Sequence, residues 1–385
     1  MSKKIPLHQP FFQGNEKKYL LKSLNSTWIS TSGNLITKFE DKIKKFTKAK
    51  YASACMNGTS AIHIGLKICG VKKGNEVIAP AITFIAPINA INYCEASPIF
   101  MDSDDYFNID IKKVVNFLNE NTFMKNNCCH NKKTKKKISA IIIVHVWGNL
   151  VDLDKLLSIC KKKRIKIVED ASESLGSFYL KGKLKKKHSG TVGDVGCLSF
   201  NGNKIITSGA GGMIITNNNL LSKKAKYLIT QAKNDSKYYV HNEVGYNYRL
   251  TNLHSAIGLA QLEKIKKYLR LKKNIHTIYK KTFNKIEGLK ILENPYFSKS
   301  NNWLNILRVG KEFGRSVEWI QKKLKKNNIE TRYVWKGNHK QKQYLKYFKY
   351  KIKKADKLIL SSLCLPSSIN INKNDITKIA NLINE

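Results

Sequence analysis

Residues 193–204 read Gly193-Asp194-Val195-Gly196-Cys197-Leu198-Ser199-Phe200-Asn201-Gly202-Asn203-Lys204, an apolar run that ends in a turn. A glycine-rich stretch, Ser208-Gly209-Ala210-Gly211-Gly212, follows it, and a second apolar run begins at Met213. We predict strands over 195–200 and 213–216, with the turn between them presenting Lys204. Taken alone, Lys204 is one lysine in a lysine-rich chain, and an exposed surface residue is the simpler interpretation.

Around this stretch, residues 50 to 220 alternate between short β-branched runs and helical periodicity. This alternation predicts an α/β fold with a mainly parallel sheet. Several runs are apolar on both faces, which favours a central sheet buried on both sides. Further strands are predicted over 76–83, 138–146 and 165–169, and helices over 59–69 and 151–164.

The C-terminal third begins with a long helical pattern through Ala256, Leu262 and Leu269, followed by short strands and helices. We predict a large domain over 1–265, with an N-terminal arm over 1–30, and a smaller α+β domain over 266–385. Residues 119–137 are rich in lysine and asparagine and lack periodicity, so they are predicted to form a surface loop.

The composition is that of a folded chain with an unusual charge. The 385 residues are 42% hydrophobic, and 70 Lys+Arg against 27 Asp+Glu give a formal net charge of +43. Such a charge attracts polyanions, which include nucleic acid, anionic membranes and diphosphate substrates. The lysines are spread along the whole chain, which favours solvated faces over a specific nucleic-acid interface.

The eight cysteines contain no CxxC pair and mostly lie in apolar segments, as is typical of reduced cysteines in a cytoplasmic protein. Cys128-Cys129-His130 has no further ligands at metal-site spacing, so no metal site is predicted. No apolar run is long enough to span a membrane, and the N-terminus lacks the apolar core of a signal peptide. We therefore expect a cytoplasmic protein with no membrane partner.

Two other segments have functional potential. Asn57-Gly58-Thr59-Ser60 opens a helix, and the glycine, the free N–H groups and the hydroxyls of Thr59 and Ser60 suit a phosphate. The strand over 165–169 leads into Asp170 and then Glu173, where α/β sheets bind ligands. Taken alone, the first segment is more simply a helix cap, and a carboxylate of the second could equally cap the next element.

The order of the three features favours one cofactor. A phosphate anchor, an acid that keeps a pyridine nitrogen protonated and a lysine that binds an aldehyde are what pyridoxal phosphate requires. They occur here in the order used by fold-type I pyridoxal-phosphate enzymes.

The sequence resembles the DegT/DnrJ/EryC1/StrS family of sugar aminotransferases over nearly its whole length. The stretches that carry the resemblance are Asn57-Gly58-Thr59-Ser60-Ala61, Pro80-Ala81-Ile82-Thr83-Phe84, His145-Val146-Trp147-Gly148-Asn149, Glu169-Asp170-Ala171-Ser172-Glu173, residues 199–204 and residues 245–252. The resemblance is closest to the branch of legionaminic-acid and perosamine pathways. It implies a fold-type I transferase with a mostly parallel seven-stranded sheet, and a homodimer with shared active sites.

The resemblance also implies roles for individual residues. Lys204 matches the lysine that binds the cofactor and moves the proton, and Asp170 matches the acid at the pyridine nitrogen. The implied cofactor contacts are Gly58, Thr59, Ser60, Phe84, Asp170, Glu173, Ser199, Lys204 and, from the neighbouring subunit, Asn247. Trp28, Ser30, Arg332, Trp335 and His339 are the implied substrate contacts.

The resemblance implies that glutamate donates an amino group to a nucleotide-linked 4-keto-6-deoxy sugar. Relatives that dehydrate their sugar carry histidine in place of the lysine, so Lys204 favours transamination, with a dehydratase or lyase as the alternative. Tyr333, Lys342 and Ala210 depart from the family pattern, and the first two leave the sugar open. A nucleic-acid-binding protein on an inactive scaffold ranks last, because no basic face with stacking aromatics is visible.

Overall fold

The computed structural model describes residues 4–235 and 237–385. Its α-helices are α1 (Glu16–Asn25), α2 (Asn34–Thr47), α3 (Gly58–Ile68), α4 (Ala86–Tyr93), α5 (Ile111–Glu120), α6 (Asp154–Lys163), α7 (Asn219–Ile229), α8 (Asn252–Glu263), α9 (Ile265–Phe283), α10 (Val317–Lys326), α11 (Lys354–Leu360) and α12 (Lys373–Asn384). No helix in these ranges is both long enough and apolar enough to cross a membrane.

The β-strands are mostly short. They are β1 (Tyr51–Cys55), β2 (Glu76–Pro80), β3 (Ser97–Met101), β4 (Thr122–Lys125), β5 (Cys128–Asn131), β6 (Ile138–Val144), β7 (Lys166–Asp170), β8 (Phe178–Tyr179), β9 (Val195–Ser199), β10 (Gly212–Thr216), β11 (Lys233–Asp235), β12 (Val240–His241), β13 (Leu289–Ile291), β14 (Ser298–Lys299), β15 (Asn305–Val309), β16 (Arg332–Tyr333), β17 (Lys349–Tyr350) and β18 (Ser362–Leu365).

The central sheet has the strand order β1-β10-β9-β7-β6-β2-β3-β17. The pairs from β9 to β17 are parallel, whereas β10 is antiparallel to both of its neighbours. The α/β class with a mainly parallel sheet is therefore confirmed. The sheet has eight strands where seven were predicted, because the two-residue β17 joins it beyond β3.

Helices cover both faces of this sheet, which explains why its strands are apolar on both sides. Every residue of β6 is buried. One face contributes Val77, Ala140 and Ile142 to the main core, and the other contributes Ile78 and Ile141 to a second core beneath α5 and α6.

A third core fills the C-terminal part of the chain. The antiparallel sheet β13-β15-β18-β16 packs against α9, α10 and α12 through residues such as Leu307, Ile320 and Ile379. Ile5 belongs to this core, and Tyr350 belongs to the core beneath α5. Segments from both ends of the chain thus cross the predicted boundary at 265/266, which stays a prediction.

The prediction of a loop over 119–137 was wrong for the central residues of this segment. Residues 122–125 and 128–131 pair as an antiparallel hairpin, in which Phe123 stacks on His130 with ring centroids 5.5 Å apart. Asn131 anchors the hairpin because its side-chain amide donates to Glu76 Oε2 at 3.0 Å. A lysine-rich composition concealed this strand pairing, since it reflects exposure more than backbone structure.

Candidate active site

The site lies at the carboxyl ends of three adjacent parallel strands. Asp170 is the last residue of β7 and lies opposite Val144 of β6 and Cys197 of β9. Lys204 follows β9 by five residues, on a turn closed by the bond from Ser208 N to Phe200 O at 2.9 Å. Ligands of α/β proteins bind at this edge of the sheet, so the topology places the predicted acid and the predicted amine in one region.

The two carboxylates at the end of β7 point in opposite directions, because side chains alternate along a strand. Glu169 accepts hydrogen bonds from His145 Nε2 at 2.8 Å and from the backbone N–H groups of Gly190, Val192 and Gly193. Burial alone would raise the pKa of Glu169, but these donors hold it below its ordinary value. Glu169 therefore has a structural role, and it fixes the loop before β9.

Asp170 has the opposite electrostatic character. It is buried, and its Oδ1 accepts the backbone N–H of Ser172 at 3.0 Å. Burial raises the pKa of Asp170, and the positive charge of Lys204 acts against this rise. A buried carboxylate with few donors favours a protonated or cationic group beside it, which is what a pyridinium nitrogen provides.

Lys204 is held in a narrow slot. Its side chain is 14% exposed, and its Nζ lies 3.6 Å from Glu173 Oε1 and 4.2 Å from the ring centroid of Trp303. The other oxygen of Glu173 accepts the backbone N–H of Trp147 at 2.8 Å. Burial raises the pKa of Glu173, and the Lys204 charge lowers it. The amine thus faces a carboxylate that can share a proton with it.

Trp303 forms one side of this slot, and further aromatic side chains pack around Trp147, whose backbone contacts Glu173. Trp303 donates its indole N–H to Asn203 O at 2.6 Å, next to Lys204. Trp147 stacks on Trp335 at a centroid distance of 5.5 Å and an interplanar angle of 28°. Trp303 was missed by the sequence reasoning, since it reaches the site from about a hundred residues away and follows no motif of its own.

The predicted phosphate site fits an anion. A Cβ added at Gly58 would lie 2.8 Å from Ser199 Cβ and 3.1 Å from Ser172 Oγ. Only glycine leaves this space open, at the first residue of α3, where backbone N–H groups have no intrahelical partner. The Ser60 N–H is already used, because it donates to the Asn57 side chain at 2.8 Å. Gly58, Thr59, Ser199 and the Ser60 hydroxyl stay the predicted anchors.

Comparison with known proteins agrees with this geometry. Residues 11–384 match the model of the DegT/DnrJ/EryC1/StrS aminotransferase family. The chain is 36% identical over 384 residues to a GDP-perosamine synthase of Escherichia coli O157:H7, covering 100% of this chain and 98% of that one. It belongs to the DegT/DnrJ/EryC1/StrS aminotransferase family.

A second relative of this family, a GDP-perosamine synthase of Caulobacter vibrioides, is 32% identical over 380 residues, covering 98% of this chain and 96% of that one. The fold is also that of Helicobacter pylori PseC, an aminotransferase involved in the biosynthesis of pseudoaminic acid. The two structures superpose with a TM-score of 0.87 at 24% identity, over 99% of this chain and 98% of that one. The predicted activity, that of a pyridoxal-phosphate-dependent aminotransferase, is confirmed.

Other cofactor contacts expected from the DegT/DnrJ/EryC1/StrS resemblance lie at the surface. Phe84 follows β2 and is 54% exposed. Asn247 is exposed on a segment that bridges to β1 through Cys55 and Arg249. Their roles stay predictions.

The predicted substrate residues fall into two groups. Trp28 and Ser30 are exposed on the segment after α1, where Ser30 O accepts the Asn252 N–H at 2.7 Å. Arg332 and Trp335 lie in or just after β16, and Arg332 is exposed.

His339 differs from these residues because it is buried. Its Nε2 lies 3.2 Å from Asp356 Oδ1, so the ring is directed towards α11. All five substrate roles stay predictions. In the described ranges, no group of three or more His, Cys, Asp or Glu side chains is placed to hold a metal ion.

Proposed function

We propose that this enzyme transfers an amino group from glutamate to the ketone of a nucleotide-linked 4-keto-6-deoxy sugar. The observation that carries the proposal is the placement of the Lys204 amine, 3.6 Å from Glu173 and enclosed by Trp303, on the edge of the sheet that also presents Asp170. The names of the two perosamine synthases support a sugar substrate, and they favour GDP as its carrier.

The site residues fit pyridoxal phosphate. Gly58, Thr59 and Ser199 would hold the phosphate, Asp170 the ring nitrogen, and Lys204 the aldehyde. When bound, the cofactor supplies an electron sink for the carbon that gains or loses a proton. The fit rests on the space above Gly58, which an added Cβ would fill, and on the buried carboxylate of Asp170.

The protein's own part in the reaction is to hold charges and to move one proton. Asp170 keeps a positive charge at the ring nitrogen, because its buried carboxylate gains more from such a partner than an exposed one would. Lys204 removes a proton from the α-carbon of the amino donor in the first half-reaction and delivers a proton to the sugar carbon in the second, with Glu173 balancing its charge. Trp303 shields the Lys204 amine from water on one side.

We also propose a homodimer with shared active sites. Large apolar side chains are exposed on segments that carry predicted site residues, among them Trp28 at 59%, Phe84 at 54% and Val244 at 81%, which lies near Asn247 in the sequence. Exposed apolar residues of this size mark association surfaces when they cluster. The cytoplasmic location remains a prediction from the cysteine usage.

The dimer is tested by mixing two impaired variants, Lys204→Ala and Asn247→Ala. A mixed dimer contains one intact site if Asn247 acts across the interface, so activity returns on mixing. The control is each variant mixed with itself. If tagged subunits exchange but no activity returns, the sites are not shared.

The activity is tested with ¹⁵N-glutamate and a panel of GDP-linked and UDP-linked 4-keto-6-deoxy sugars. We expect one sugar to gain ¹⁵N, and Lys204→Ala to abolish the incorporation. A product that has lost water and carries no ¹⁵N would indicate the alternative, a dehydratase or lyase of the same fold.

A further inference from the structure

His8 lies beside the Lys204 slot, but the cofactor chemistry does not use it. Its imidazole lies against Trp303, with ring centroids 6.4 Å apart, and the Lys204 amine lies 4.2 Å from the centroid of the same Trp303 ring. Lys204, Lys272 and Arg332 are all close enough to act electrostatically on His8. His8 therefore shares a neighbour with the amine that a substrate must reach, and it lies beside that amine.

The backbone around His8 is fixed on both sides. The preceding Leu7 donates its N–H to Glu330 at 3.2 Å, and its carbonyl accepts the Ser367 N–H at 2.6 Å. The following Gln9 donates its N–H to Ser368 Oγ at 3.1 Å. Hydrogen bonds to two distant segments thus hold the backbone on both sides of His8, and the position of the imidazole is fixed.

The buried Lys272 links the segments that surround His8. The Lys272 amine donates to Trp303 O at 2.9 Å and to the Ser367 carbonyl. Lys272 thus joins Trp303, against which His8 packs, to Ser367, which bonds to Leu7. Burial lowers the pKa of Lys272.

Neither ring nitrogen of His8 has a hydrogen-bond partner among the described residues, and both are shielded from solvent. Leaving a buried polar atom unpaired is costly, so such atoms commonly mark a place where a ligand binds. Burial lowers the pKa of His8 well below its ordinary value, and the neighbouring cations lower it further. A neutral imidazole has one donor nitrogen and one acceptor nitrogen.

We propose that His8 is a specificity-determining residue that hydrogen-bonds hydroxyl groups of the sugar next to the reacting carbon. A carboxylate only accepts hydrogen bonds, and so it could satisfy the donor nitrogen alone, whereas sugar hydroxyls both donate and accept. This inference rests on the proposed function, because it requires that the acceptor be a sugar.

The test separates the two halves of the reaction. His8→Phe keeps a ring of similar size but removes both nitrogens, whereas His8→Gln retains one donor and one acceptor. The wild type and both variants are loaded with pyridoxal phosphate. The absorbance change on adding glutamate measures the first half-reaction, and KM is then measured for the GDP-linked or UDP-linked 4-keto-6-deoxyhexose that the wild type aminates best.

We expect His8→Phe to raise KM for the sugar by about ten-fold or more, since losing one hydrogen bond in a buried site has roughly that effect. The rate and KM of the glutamate step, the affinity for pyridoxal phosphate and the melting temperature should stay within about two-fold or two degrees of wild type. His8→Gln should restore most of the sugar affinity.

An unchanged KM for the sugar in His8→Phe overturns the inference and leaves the proposed function intact. An equal loss in the glutamate step also overturns it, because His8 would then act on the amino donor or on the site as a whole. A wild type that aminates no sugar of the panel overturns the proposed function, and this inference falls with it.

Discussion

Replacing Gly58 with alanine tests the phosphate anchor directly. The new Cβ would lie 2.8 Å from Ser199 Cβ, 3.1 Å from Ser172 Oγ and 3.2 Å from Ser199 Oγ. Carbon atoms in contact are normally about 3.5 Å or more apart, so Ser199 must move by roughly 0.7 Å. Overpacking of this kind costs about 1–3 kcal/mol, and the higher helix propensity of alanine offsets up to about 1 kcal/mol.

The effect on the cofactor should exceed the effect on the fold. The displaced Ser199 hydroxyl and the Cβ that fills the space above Gly58 remove at least one hydrogen bond to the charged phosphate. Such a hydrogen bond contributes about 1.5–3 kcal/mol to binding. We therefore expect Gly58→Ala to bind pyridoxal phosphate roughly 10- to 150-fold more weakly. The free energy of unfolding of the cofactor-free protein should fall by no more than about 3 kcal/mol.

The assay is a titration of cofactor-free protein with pyridoxal phosphate, followed by absorbance, with thermal unfolding measured in parallel. Gly202→Ala is the matched control, since a Cβ there meets no heavy atom within 4 Å and lies only two residues from Lys204. It should bind the cofactor like the wild type. Unchanged cofactor affinity in Gly58→Ala would refute the assignment of the phosphate site to Gly58 and Ser199.

Three further variants test single carboxylates. Asp170→Asn should retain pyridoxal phosphate but slow the glutamate half-reaction by about 10²- to 10³-fold in stopped-flow absorbance, because a neutral amide does not stabilise the ring charge; a wild-type rate would contradict this. Burial raises the pKa of Asp104 from 3.8 to about 7, so its ionisation destabilises the fold increasingly from pH 4 to pH 7. Asp104→Asn should therefore add about 1–3 kcal/mol to the free energy of unfolding at pH 8 and little at pH 4, and an equal effect at both values would count against this. Burial alone would raise the pKa of Asp102, but donors that include Lys113 hold this pKa at about 2. The ionised Asp102 therefore contributes about 2 kcal/mol to the free energy of unfolding above pH 4, and this contribution is lost as the pH falls towards 2. Asp102→Asn should accordingly lower the melting temperature more at pH 7 than at pH 3, and the reverse order would contradict the assignment.

The central strands could be predicted because their physical signal is local. β6 is buried on both faces and reads as an apolar run, and β7 is buried after Lys166 and shows the apolar pair Ile167-Val168 before its two carboxylates. β1 and β3 were not predicted. β1 reads Tyr-Ala-Ser-Ala-Cys and β3 contains Pro98, and such short runs with small residues or proline carry a weak strand signal. β1 is an edge strand that pairs only with the distant β10, and β3 lies next to the other edge, between β2 and the distant β17.

The candidate site likewise contains some residues that the sequence could indicate and others that it could not. Lys204, Asp170 and Gly58 lie in motifs whose spacing follows from strand ends and a helix start, and so the sequence could indicate them. Trp303 and His8 reach the slot through tertiary packing across about 100 to 200 residues, which no local pattern encodes. The resemblance distinguished Asp170 from Glu169, one residue before it, and the structure adds the physical reason, because adjacent side chains of a strand point to opposite faces.

The most direct test of the central claim is to find which residue carries the cofactor. The protein is incubated with pyridoxal phosphate, reduced with borohydride, digested and analysed by mass spectrometry. We predict that a phosphopyridoxyl group is attached to Lys204 in near-stoichiometric amount. A label that is absent, or that is scattered over the other lysines while Lys204 stays unmodified, would contradict the account.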